Sequence, residues 1–402
     1  MEYTIEKLFT QFQRRMMHVS LSLTRYLYNE INWENRLISV KGSRGVGKTT
    51  LLLQHIKLCR PINEQTLYTS LDDIYFQGHT LVDLAEEFYA NGGRYLYLDE
   101  VHKYENWSRE IKSIHDNYQD LYVVFTTSSI LEINKGDADL SRRAITYELE
   151  GMSFREYLSL QGIYNSEIFT LQDILKNHTE IAQNITTDIT ILPHFRKYLE
   201  IGVYPFFKEG EDAYLIKLNN VINLILETDI PAVFNTEYKT INKIKRLLYL
   251  LSSHLPYIPN ISKLSEQIET SSRNSTLAYL DYLERARITS NLKTSAKGNN
   301  YLVKPDKIYL ENTNLMCALN YGQQNDGTIR ETFFNHQLGI IHQVNTSKVA
   351  DFLVDDTYTF EIGGKNKKQT QIRGVENAII ASDRMEVGFG NKIPLYLFGF
   401  MY

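Results

Sequence analysis

A glycine-rich segment near the N-terminus, GSRGVGKT at residues 42–49, has the residue types and spacing that bind a chain of phosphates. It matches the pattern G-x-x-x-x-G-K-[ST] at every fixed position, and it lies between an apolar strand and a predicted helix. The glycines let backbone N–H groups converge on phosphate oxygens, and the helix N-terminus adds favourable partial charge. The pattern therefore favours a phosphate-binding loop over an ordinary glycine turn. The predicted binding residues are Gly42, Ser43, Arg44, Gly45, Val46, Gly47, Lys48, Thr49 and Thr50.

Four polar side chains in and after this loop are of the types that hydrolyse a phosphoanhydride. Lys48 is expected to reach the β- and γ-phosphates, and the hydroxyl of Thr49 is expected to bind Mg²⁺. Asp99 and Glu100 follow an apolar strand, so they should lie at the phosphate edge of the sheet. We predict that Asp99 holds Mg²⁺ through water and that Glu100 orients or deprotonates the attacking water. The alternative is that both acids are strand-end charges that meet solvent.

Two further positions are candidates for the same reaction. Thr127 lies near the end of the next strand, where its hydroxyl would sit between the two carboxylates and the γ-phosphate; a simple strand-end cap is the alternative. Arg142 and Arg143 precede the last strand of this region. A fixed guanidinium there can stabilise transition-state charge, in its own chain or across a subunit boundary. An ordinary surface salt bridge is the competing interpretation.

The elements that must position these residues have the pattern of a parallel sheet with crossover helices. Short apolar runs alternate with stretches of helical periodicity between residues 37 and 150, which is typical of an α/β fold. The predicted strands are 37–40, 66–70, 95–98, 121–126 and 144–149, and the predicted helices are 48–58, 81–89 and 107–118. From residue 152 to about residue 238 the pattern is helical.

Residues 241–310 form a basic segment inside an acidic chain. They carry eleven Lys and Arg against five Asp and Glu, a formal charge of +6, whereas the whole chain carries −5. Two short helices and a hairpin in this order make a winged helix-turn-helix, whose second helix can enter the major groove of duplex DNA. The predicted helices are 261–268 and 275–284, the predicted wing strands are 290–293 and 301–304, and the candidate phosphate contacts are Arg273, Lys293 and Lys297. The alternative is a module that only packs domains together.

The C-terminal region, residues 311–402, carries a second group of residues that suit a divalent cation. The order helix, strands, helix and a last strand at 393–398 fits a restriction-endonuclease-like α/β fold. The candidate residues are Glu331 on the first helix, Asp351 and Glu361 on the strands, and Lys365 after them. These residues resemble the D…(D/E)-x-K nuclease signature, except that Gly363 stands where that signature has its water-positioning lysine, and this places cleavage in doubt. The region is therefore a nuclease, a docking domain for nucleic acid or protein, or a surface with unrelated charges.

Together these motifs resemble a prokaryotic AAA+ ATPase family with a helical lid, a winged helix and a C-terminal domain of unknown function. The matching pieces between residues 35 and 158 are the P-loop, LYLDEVH, the strand tip TTSS, SRR-x5-L and GMSFREYL. The family usually has TGSS for TTSS and Gly-Arg for Arg142-Arg143, so Arg143 takes its arginine position. The resemblance covers nearly the whole chain and implies ATP as the nucleotide. It implies an AAA+ ATPase domain at 1–150, a lid at 151–240, a winged helix at 241–310 and the C-terminal domain at 311–402.

Composition excludes several classes of protein. Of the 402 residues, 43% are hydrophobic and 23% are charged, which is ordinary globular composition. No apolar run reaches the length of about 18 residues that a membrane span needs. The opening MEYTIEKLFTQFQRR lacks the apolar part of a signal peptide, and Cys59 and Cys317 suit a reducing compartment. We therefore expect a cytoplasmic protein without a membrane partner.

Three functions stay open at this level. The first is an ATPase that hydrolyses ATP and acts on DNA through the winged helix. The second is a nucleotide-gated regulator that binds DNA or a partner protein with little turnover, and the third is a metal-dependent nuclease controlled by ATP. Self-association into a ring is compatible with each, as is a monomer. Glu100 separates the first two functions, because a pure switch needs no catalytic acid after Asp99.

Overall fold

The structure is a computed structural model, and it describes residues 4–128, 130, 140–270, 272–294, 304–320 and 325–402. The chain divides into two compact units, Met1–Glu150 and Gly151–Tyr402. The first unit contains the glycine-rich loop with Asp99 and Glu100. The second contains the basic segment and the C-terminal carboxylates. Among the helices of the described residues, none combines the length and apolar character that a membrane span requires.

The first unit is built on a five-stranded sheet in which all pairings are parallel. Its elements are α1 (Ile5–Met17), α2 (Leu27–Glu30), β1 (Leu37–Gly42), α3 (Lys48–Cys59), β2 (Thr66–Ser70), α4 (Leu81–Ala90), β3 (Tyr95–Asp99), α5 (Trp107–Asn117), β4 (Tyr122–Ser128) and β5 (Ile145–Glu148). The strand order is β2-β3-β4-β1-β5. This confirms the predicted α/β parallel-sheet fold, and the predicted strands and helices agree with the observed ones to within two residues at each end.

The strand order brings the candidate residues to one edge of the sheet. All pairings in this sheet are parallel, so the five strands point the same way and their carboxyl ends lie at one edge. Long crossover connections join such strands. Strand β1 ends at Gly42, which is in register with Ser128 of its neighbour β4. On the other side of β4, β3 ends at Asp99. The loop and the two acids therefore meet at the same edge, as the sequence predicts.

The second unit begins with a run of helices and continues through two small sheets. Capping boxes start its first two helices, with Ser153 and Glu156 at one and Thr170 and Asp173 at the other. Its helices are α6 (Phe154–Leu160), α7 (Leu171–Asp188), α8 (Ile191–Ile201), α9 (Tyr214–Leu224), α10 (Ile230–Phe234), α11 (Tyr238–Ser252), α12 (Ile261–Gln267), α13 (Arg273–Arg285), α14 (Thr313–Asn320) and α15 (Asp326–Gly339). The helical pattern predicted between residues 152 and 238 agrees with α6–α10.

The basic segment contains two helices and a two-stranded hairpin. Helices α12 and α13 lie where the sequence predicts them, and Ser272 caps the second. The hairpin pairs β6 (Thr289–Leu292) with β7 (Lys307–Leu310). The second wing strand was predicted at 301–304, but residues 301–303 lie outside the described residues and Lys304 is not in a strand. Ile308, Tyr309 and Leu310 are fully buried, which explains why β7 pairs there.

The C-terminal part of the second unit is a mixed five-stranded sheet against α15. Its strands are β8 (Val344–Thr346), β9 (Phe352–Val354), β10 (Tyr358–Gly363), β11 (Ala378–Ser382) and β12 (Lys392–Pro394), in the order β12-β11-β10-β9-β8. The pairs β8–β9 and β9–β10 are antiparallel, and the pairs β10–β11 and β11–β12 are parallel. Phe334 of α15 contacts the rings of Phe352, Phe360 and Phe398, which joins the helix to the sheet.

Two expectations for this region are wrong. The last strand, predicted at 393–398, stops at Pro394, and a 3-10 helix, Leu395–Phe400, follows it. All six residues of that helix are buried, and a short apolar run of this kind does not distinguish strand from helix. The helix predicted between the strands is only a short 3-10 turn, Gln369–Gln371. The division of residues 151–402 into lid, winged helix and C-terminal domain stays a prediction.

Candidate functional site

The glycine-rich loop has the geometry of a phosphate cradle. Gly45 and Gly47 have φ of 87° and 102°, a region that side-chain-bearing residues rarely adopt. At Gly42 a Cβ atom would collide with the carbonyl oxygen of Leu149. Arg25, which is buried, donates to the carbonyls of Val46 at 2.6 Å and of Glu150 at 2.7 Å. Arg25, which no motif predicted, therefore stabilises the loop through hydrogen bonds to backbone carbonyls.

Lys48 and Thr49 open helix α3 at the end of this loop. Lys48 is 6% exposed, and its Nζ donates to the carbonyls of Gly42 at 2.9 Å and Ser43 at 3.1 Å. The ammonium group thus lies over the loop, where a phosphate chain can replace the two carbonyls as its partners. The hydroxyl of Thr49 donates to Oδ2 of Asp99 at 2.6 Å. The structure therefore brings the two predicted magnesium ligands into direct contact.

Three hydroxyl groups hold the carboxylate of Asp99, which is 3% exposed. Besides Thr49, Tyr68 of β2 donates to Oδ2 at 2.7 Å, and Thr126 of β4 donates to Oδ1. Burial and the charge of Asp99 raise the pKa of the Tyr68 phenol, so Tyr68 stays a donor. Arg15 of α1 donates to the Tyr68 oxygen at 3.3 Å. The three hydroxyl groups together fix the orientation of the Asp99 side chain.

The structure gives a role at this strand tip to Thr126, the neighbour of the predicted Thr127. Thr126 contacts Asp99 and also accepts the backbone N–H of Glu100 at 2.9 Å. Thr127 is buried, and its hydroxyl donates to the carbonyl of Ser128 at 3.0 Å, away from both carboxylates. Ser129, the last residue of the tip, lies outside the described residues. Thr127 as a γ-phosphate contact stays a prediction.

Glu100 occupies a strained position directly after β3. Its backbone is left-handed, with φ of 52°, which is unusual for a residue other than glycine and typical of functional sites. Its Oε2 lies 3.4 Å from Nε2 of His102 and 4.0 Å from a guanidinium nitrogen of Arg44. Burial raises the pKa of the Glu100 carboxyl, and Asp99 adds to this, while Lys48 and Arg44 oppose it. A raised pKa makes a carboxylate a better proton acceptor.

Arg143 is paired within the first unit. Its Nε and Nη2 donate to the two oxygens of Asp116 on α5 at 2.8 Å and 3.0 Å, a bidentate pair. Arg142 beside it is exposed. The described contacts of Arg143 are those of a surface salt bridge, and its role as an arginine finger stays a prediction.

Thr49 and Asp99 supply oxygen ligands that suit Mg²⁺. A hydroxyl and a carboxylate are hard donors, and Mg²⁺ in phosphate sites is bound by one or two protein oxygens together with substrate phosphates and water. In the described part of the chain, no three His, Cys, Asp or Glu side chains converge as a ready-made metal site. The residues present therefore fit a cation that binds together with the nucleotide.

The second predicted site lies in the other unit, where a lysine other than the predicted Lys365 contacts Glu361. Lys367 forms an ion pair with Oε1 of Glu361, whereas Lys365 is exposed in the turn after β10. Oε2 of Glu331 accepts from Tyr309 at 2.6 Å, and Oδ2 of Asp351 accepts from the backbone N–H of Ile362 at 2.7 Å. Burial raises the pKa values of Glu331 and Glu361, and the charge of Asp351 contributes to both shifts.

Comparison with known protein families places the first unit in a class. Residues 34–158 match a family described as AAA domain, and residues 192–326 match one described as domain of unknown function DUF8612. Together with the parallel sheet, the P-loop and Asp99, the first match defines the N-terminal unit as an AAA+ P-loop ATPase domain. This confirms the resemblance that the sequence motifs suggested for this part of the chain.

Two proteins of Methanocaldococcus jannaschii are similar over longer stretches. Uncharacterized protein MJ1637 is 27% identical over 66% of this chain, and the match spans 57% of that protein. Uncharacterized protein MJ1544 is 21% identical over 84% of this chain and 74% of its own length. The chain thus spans little more than half the length of the first of these relatives.

Two solved structures resemble the chain with low scores. A RuvB variant of Thermotoga maritima is 15% identical, and the match covers 72% of this chain and 90% of its own, with a TM-score of 0.30. The replication initiator DnaA, bound to AMPPCP and single-stranded DNA, is 13% identical over 69% of this chain and 86% of its own, with a TM-score of 0.26.

Proposed function

We propose that this chain binds ATP with Mg²⁺ and hydrolyses it, and that it couples turnover to binding or remodelling duplex DNA. The observation that carries the ATPase part is the pair of acids at the P-loop edge. Asp99 is anchored to Thr49, and Glu100 follows it in a half-buried position with a raised pKa. A nucleotide switch without turnover does not need the second acid.

The chemistry follows from where these side chains lie. Lys48 and the N–H groups of the loop bind the phosphates, and Thr49 and Asp99 would hold Mg²⁺, which neutralises charge on the β- and γ-phosphates when bound. Glu100 accepts a proton from water as the water oxygen bonds to the γ-phosphorus. The bond from that phosphorus to the bridging oxygen breaks, and ADP leaves with the electron pair.

The DNA part of the proposal is supported by the charges of residues 241–310. Several lysine and arginine side chains there form ion pairs with acidic residues, among them Arg246 with Glu269 and Arg285 with Asp281. Lys263 on α12 and Arg273 at the start of α13 are exposed, and neither forms an ion pair with any residue that the structure describes. An exposed cation at the start of a candidate recognition helix, with a second one on the helix before it, suits phosphate contacts.

A second candidate function is a nucleotide-gated regulator with little turnover of its own. Arg143, the residue in the family's arginine position, is held by Asp116 in the described structure. If no arginine of the same chain reaches the γ-phosphate, turnover stays slow until a partner protein or a second copy of the chain supplies one. We also propose a cytoplasmic location, because Cys59 and Cys317 suit a reducing compartment. This location is compatible with both candidates.

The test is ATP binding and hydrolysis in two variants, each with a matched control. Lys48→Ala should abolish ATP binding, because it removes the side-chain cation of the cradle, whereas Lys57→Ala on the same helix should bind normally. Glu100→Gln should bind ATP and lose about 100-fold or more of its turnover, because the amide cannot accept a proton. Glu105→Gln, an exposed neighbour, should turn over like the wild type.

Each outcome decides one part of the proposal. Unchanged ATP affinity in Lys48→Ala would remove the assignment of the loop. Wild-type turnover in Glu100→Gln would place the catalytic base elsewhere. The regulator would be favoured over the motor by a wild-type chain that binds ATP but hydrolyses it as slowly as Glu100→Gln. Duplex DNA would then not accelerate this hydrolysis.

A further inference from the structure

One side of helix α13, the candidate recognition helix, lies opposite its buried residues. Thr276, Leu280 and Leu283 are buried, so they define the side that faces the interior of the second unit. At 3.6 residues per turn, Tyr282 and Arg285 lie on the opposite, outward side. A recognition helix must present an outward side of this kind to the major groove.

Phe234, the last residue of helix α10, covers part of this outward side. Its ring stacks on the ring of Tyr282, with the centroids 3.8 Å apart and the planes 15° from parallel. The guanidinium carbon of Arg285 lies 6.0 Å from the centroid of the Phe234 ring, which is the distance of a cation–π contact. Nε of Arg285 also pairs with Asp281, one helical turn earlier, at 2.9 Å. Three neighbouring side chains of α13 are therefore engaged within the protein.

A recognition helix that is covered in this way does not fit the major groove. The groove is about 12 Å wide and an α-helix with its side chains is about 10–12 Å across, so a single helix fills the groove. The ring of Phe234 and the backbone of α10 add a second layer on the side that has to face the bases. Arg273 and Asn274, at the start of α13, stay exposed and can contact phosphates from outside the groove. The described conformation thus suits phosphate contacts and excludes insertion of α13.

The covering segment depends on tertiary contacts for its position. Helix α10 has five residues, and it follows a π-helical turn, Ile225–Asp229, in which the regular hydrogen-bond pattern of an α-helix is interrupted. Asn235, directly after Phe234, has a left-handed backbone with φ of 49°, so α10 ends there. A helix this short is not stable on its own. Contacts such as that of Phe234 with Tyr282 therefore hold α10 in place, and losing them releases it.

We propose that Phe234 is an autoinhibitory latch, which keeps duplex DNA away from the outward side of α13 while its ring is stacked on Tyr282. Release of α10 uncovers Tyr282 and Arg285 and lets α13 enter the major groove. The inference rests on the DNA part of the proposed function. A protein whose binding-competent state is only partly populated binds with an affinity reduced by that fraction, so a weaker latch means tighter DNA binding.

The test is equilibrium binding of a labelled mixed-sequence DNA duplex to the full-length chain. Phe234→Ala should bind the duplex about 2- to 10-fold more tightly, which is the strength of one aromatic pair expressed as a ratio of affinities. Phe234→Tyr keeps the ring and should bind like the wild type. Tyr238→Ala removes a ring that is 75% exposed and stacks on no residue that the structure describes, so it should also bind like the wild type.

Failure of the latch and failure of the proposed function give different results. If the wild type binds the duplex and Phe234→Ala binds it no more tightly, DNA binding stands and the latch alone is overturned. If neither chain shows salt-dependent binding, the DNA part of the proposed function is overturned, and the latch is overturned with it. A gain in Tyr238→Ala equal to that in Phe234→Ala would also overturn the latch, because the effect would not depend on the stacked ring.

Amide hydrogen exchange in the wild type decides the question if thermal unfolding shows that Phe234→Ala has lost its fold. Saturating duplex DNA should speed exchange at the amides of α10, because binding selects the conformation in which α10 is released. The amides of α7, Leu171–Asp188, are the control and should exchange at the same rate with and without DNA. Unchanged or slower exchange in α10 at saturating DNA would overturn the proposal.

Discussion

Two hydroxyl groups that no motif names, those of Tyr68 and Thr126, act with the motif residue Thr49 to set the orientation of Asp99. Asp99 accepts from Thr49, Tyr68 and Thr126, so neither of its oxygens is free to rotate out of the site. The P-loop spacing and the position of Asp99 are visible in the sequence. The roles of Tyr68 and Thr126 are not visible in the sequence, because they depend on which strands are neighbours and in which register these strands pair.

Tyr68→Phe tests this network by removing one hydroxyl and nothing else. Hydrogen bonds to charged groups contribute about 1.5–3 kcal/mol, so turnover should fall roughly 10- to 100-fold if the bond orients Asp99 in the transition state. ATP affinity should change little, because Lys48 and the loop are untouched. Phosphate release measures the effect, and Tyr122→Phe, at the opposite end of the sheet, is the control. Normal turnover in Tyr68→Phe would make the tyrosine a packing residue only.

The charges around Glu100 predict a pH effect. Glu100 acts as a base only when ionised, so turnover should fall as the pH drops through its pKa, which burial raises and Arg44 lowers. Arg44→Ala removes a charge 4.0 Å from the carboxylate, so the pKa should rise further and the acid limb of turnover should move to higher pH. Turnover measured against pH at saturating ATP checks this, with exposed Arg109→Ala as the control. An acid limb that stays in place would mean that another group controls it.

At the scale of elements, periodicity predicts most of the structure, and the failures share a cause. The strands of the first unit are apolar runs bounded by glycine, proline or charge, so their type and ends are well marked. The segment 393–398 is also short and apolar, but it is mainly a buried 3-10 helix. Most of the strand predicted at 301–304 lies outside the described residues, and the second strand of the hairpin there is Lys307–Leu310. Tertiary packing decides such segments, and local sequence does not.

Helix α15 packs against the C-terminal sheet in part through Phe334. Phe334 is fully buried and contacts Phe352, Phe360 and Phe398. Phe334→Ala should lower the free energy of unfolding by about 3–5 kcal/mol, because it removes buried area and leaves a cavity. Urea denaturation measures the loss, and Phe389→Ala, at a residue that is 72% exposed, should cost little. A small loss in Phe334→Ala would mean that the surrounding rings close the cavity.

At the scale of the whole molecule, charge is distributed unevenly between segments. Residues 241–310 carry +6 in a chain of −5, so the remaining residues together carry −11. The sequence shows this asymmetry directly, because it depends only on counting. The sequence does not show which lysine and arginine side chains are already neutralised by neighbouring acids. Ion pairs such as Arg246 with Glu269 become visible only in the fold.

The salt dependence of DNA binding tests whether the remaining lysine and arginine side chains contact phosphates. Each phosphate contact contributes about 0.9 to the slope of log affinity against log salt for duplex DNA, so the triple variant Arg273→Ala, Lys293→Ala, Lys297→Ala should lower that slope by roughly two to three. The effect should be the same for all DNA sequences, because phosphate contacts do not read bases. Lys297 lies outside the described residues, so its contribution rests on the sequence alone.

A charge-matched control makes this result specific to the basic segment. Replacing three exposed basic residues elsewhere in the second unit removes the same formal charge, and it should leave the slope nearly unchanged, because screening suppresses long-range attraction beyond about 10 Å at 0.1 M salt. The control positions are Lys176, Arg196 and Lys208. ATP hydrolysis without DNA should be equal in both triple variants, since no P-loop residue changes. Equal slopes in the two variants would make the segment a packing module, and a protein partner would then replace DNA in the proposed function.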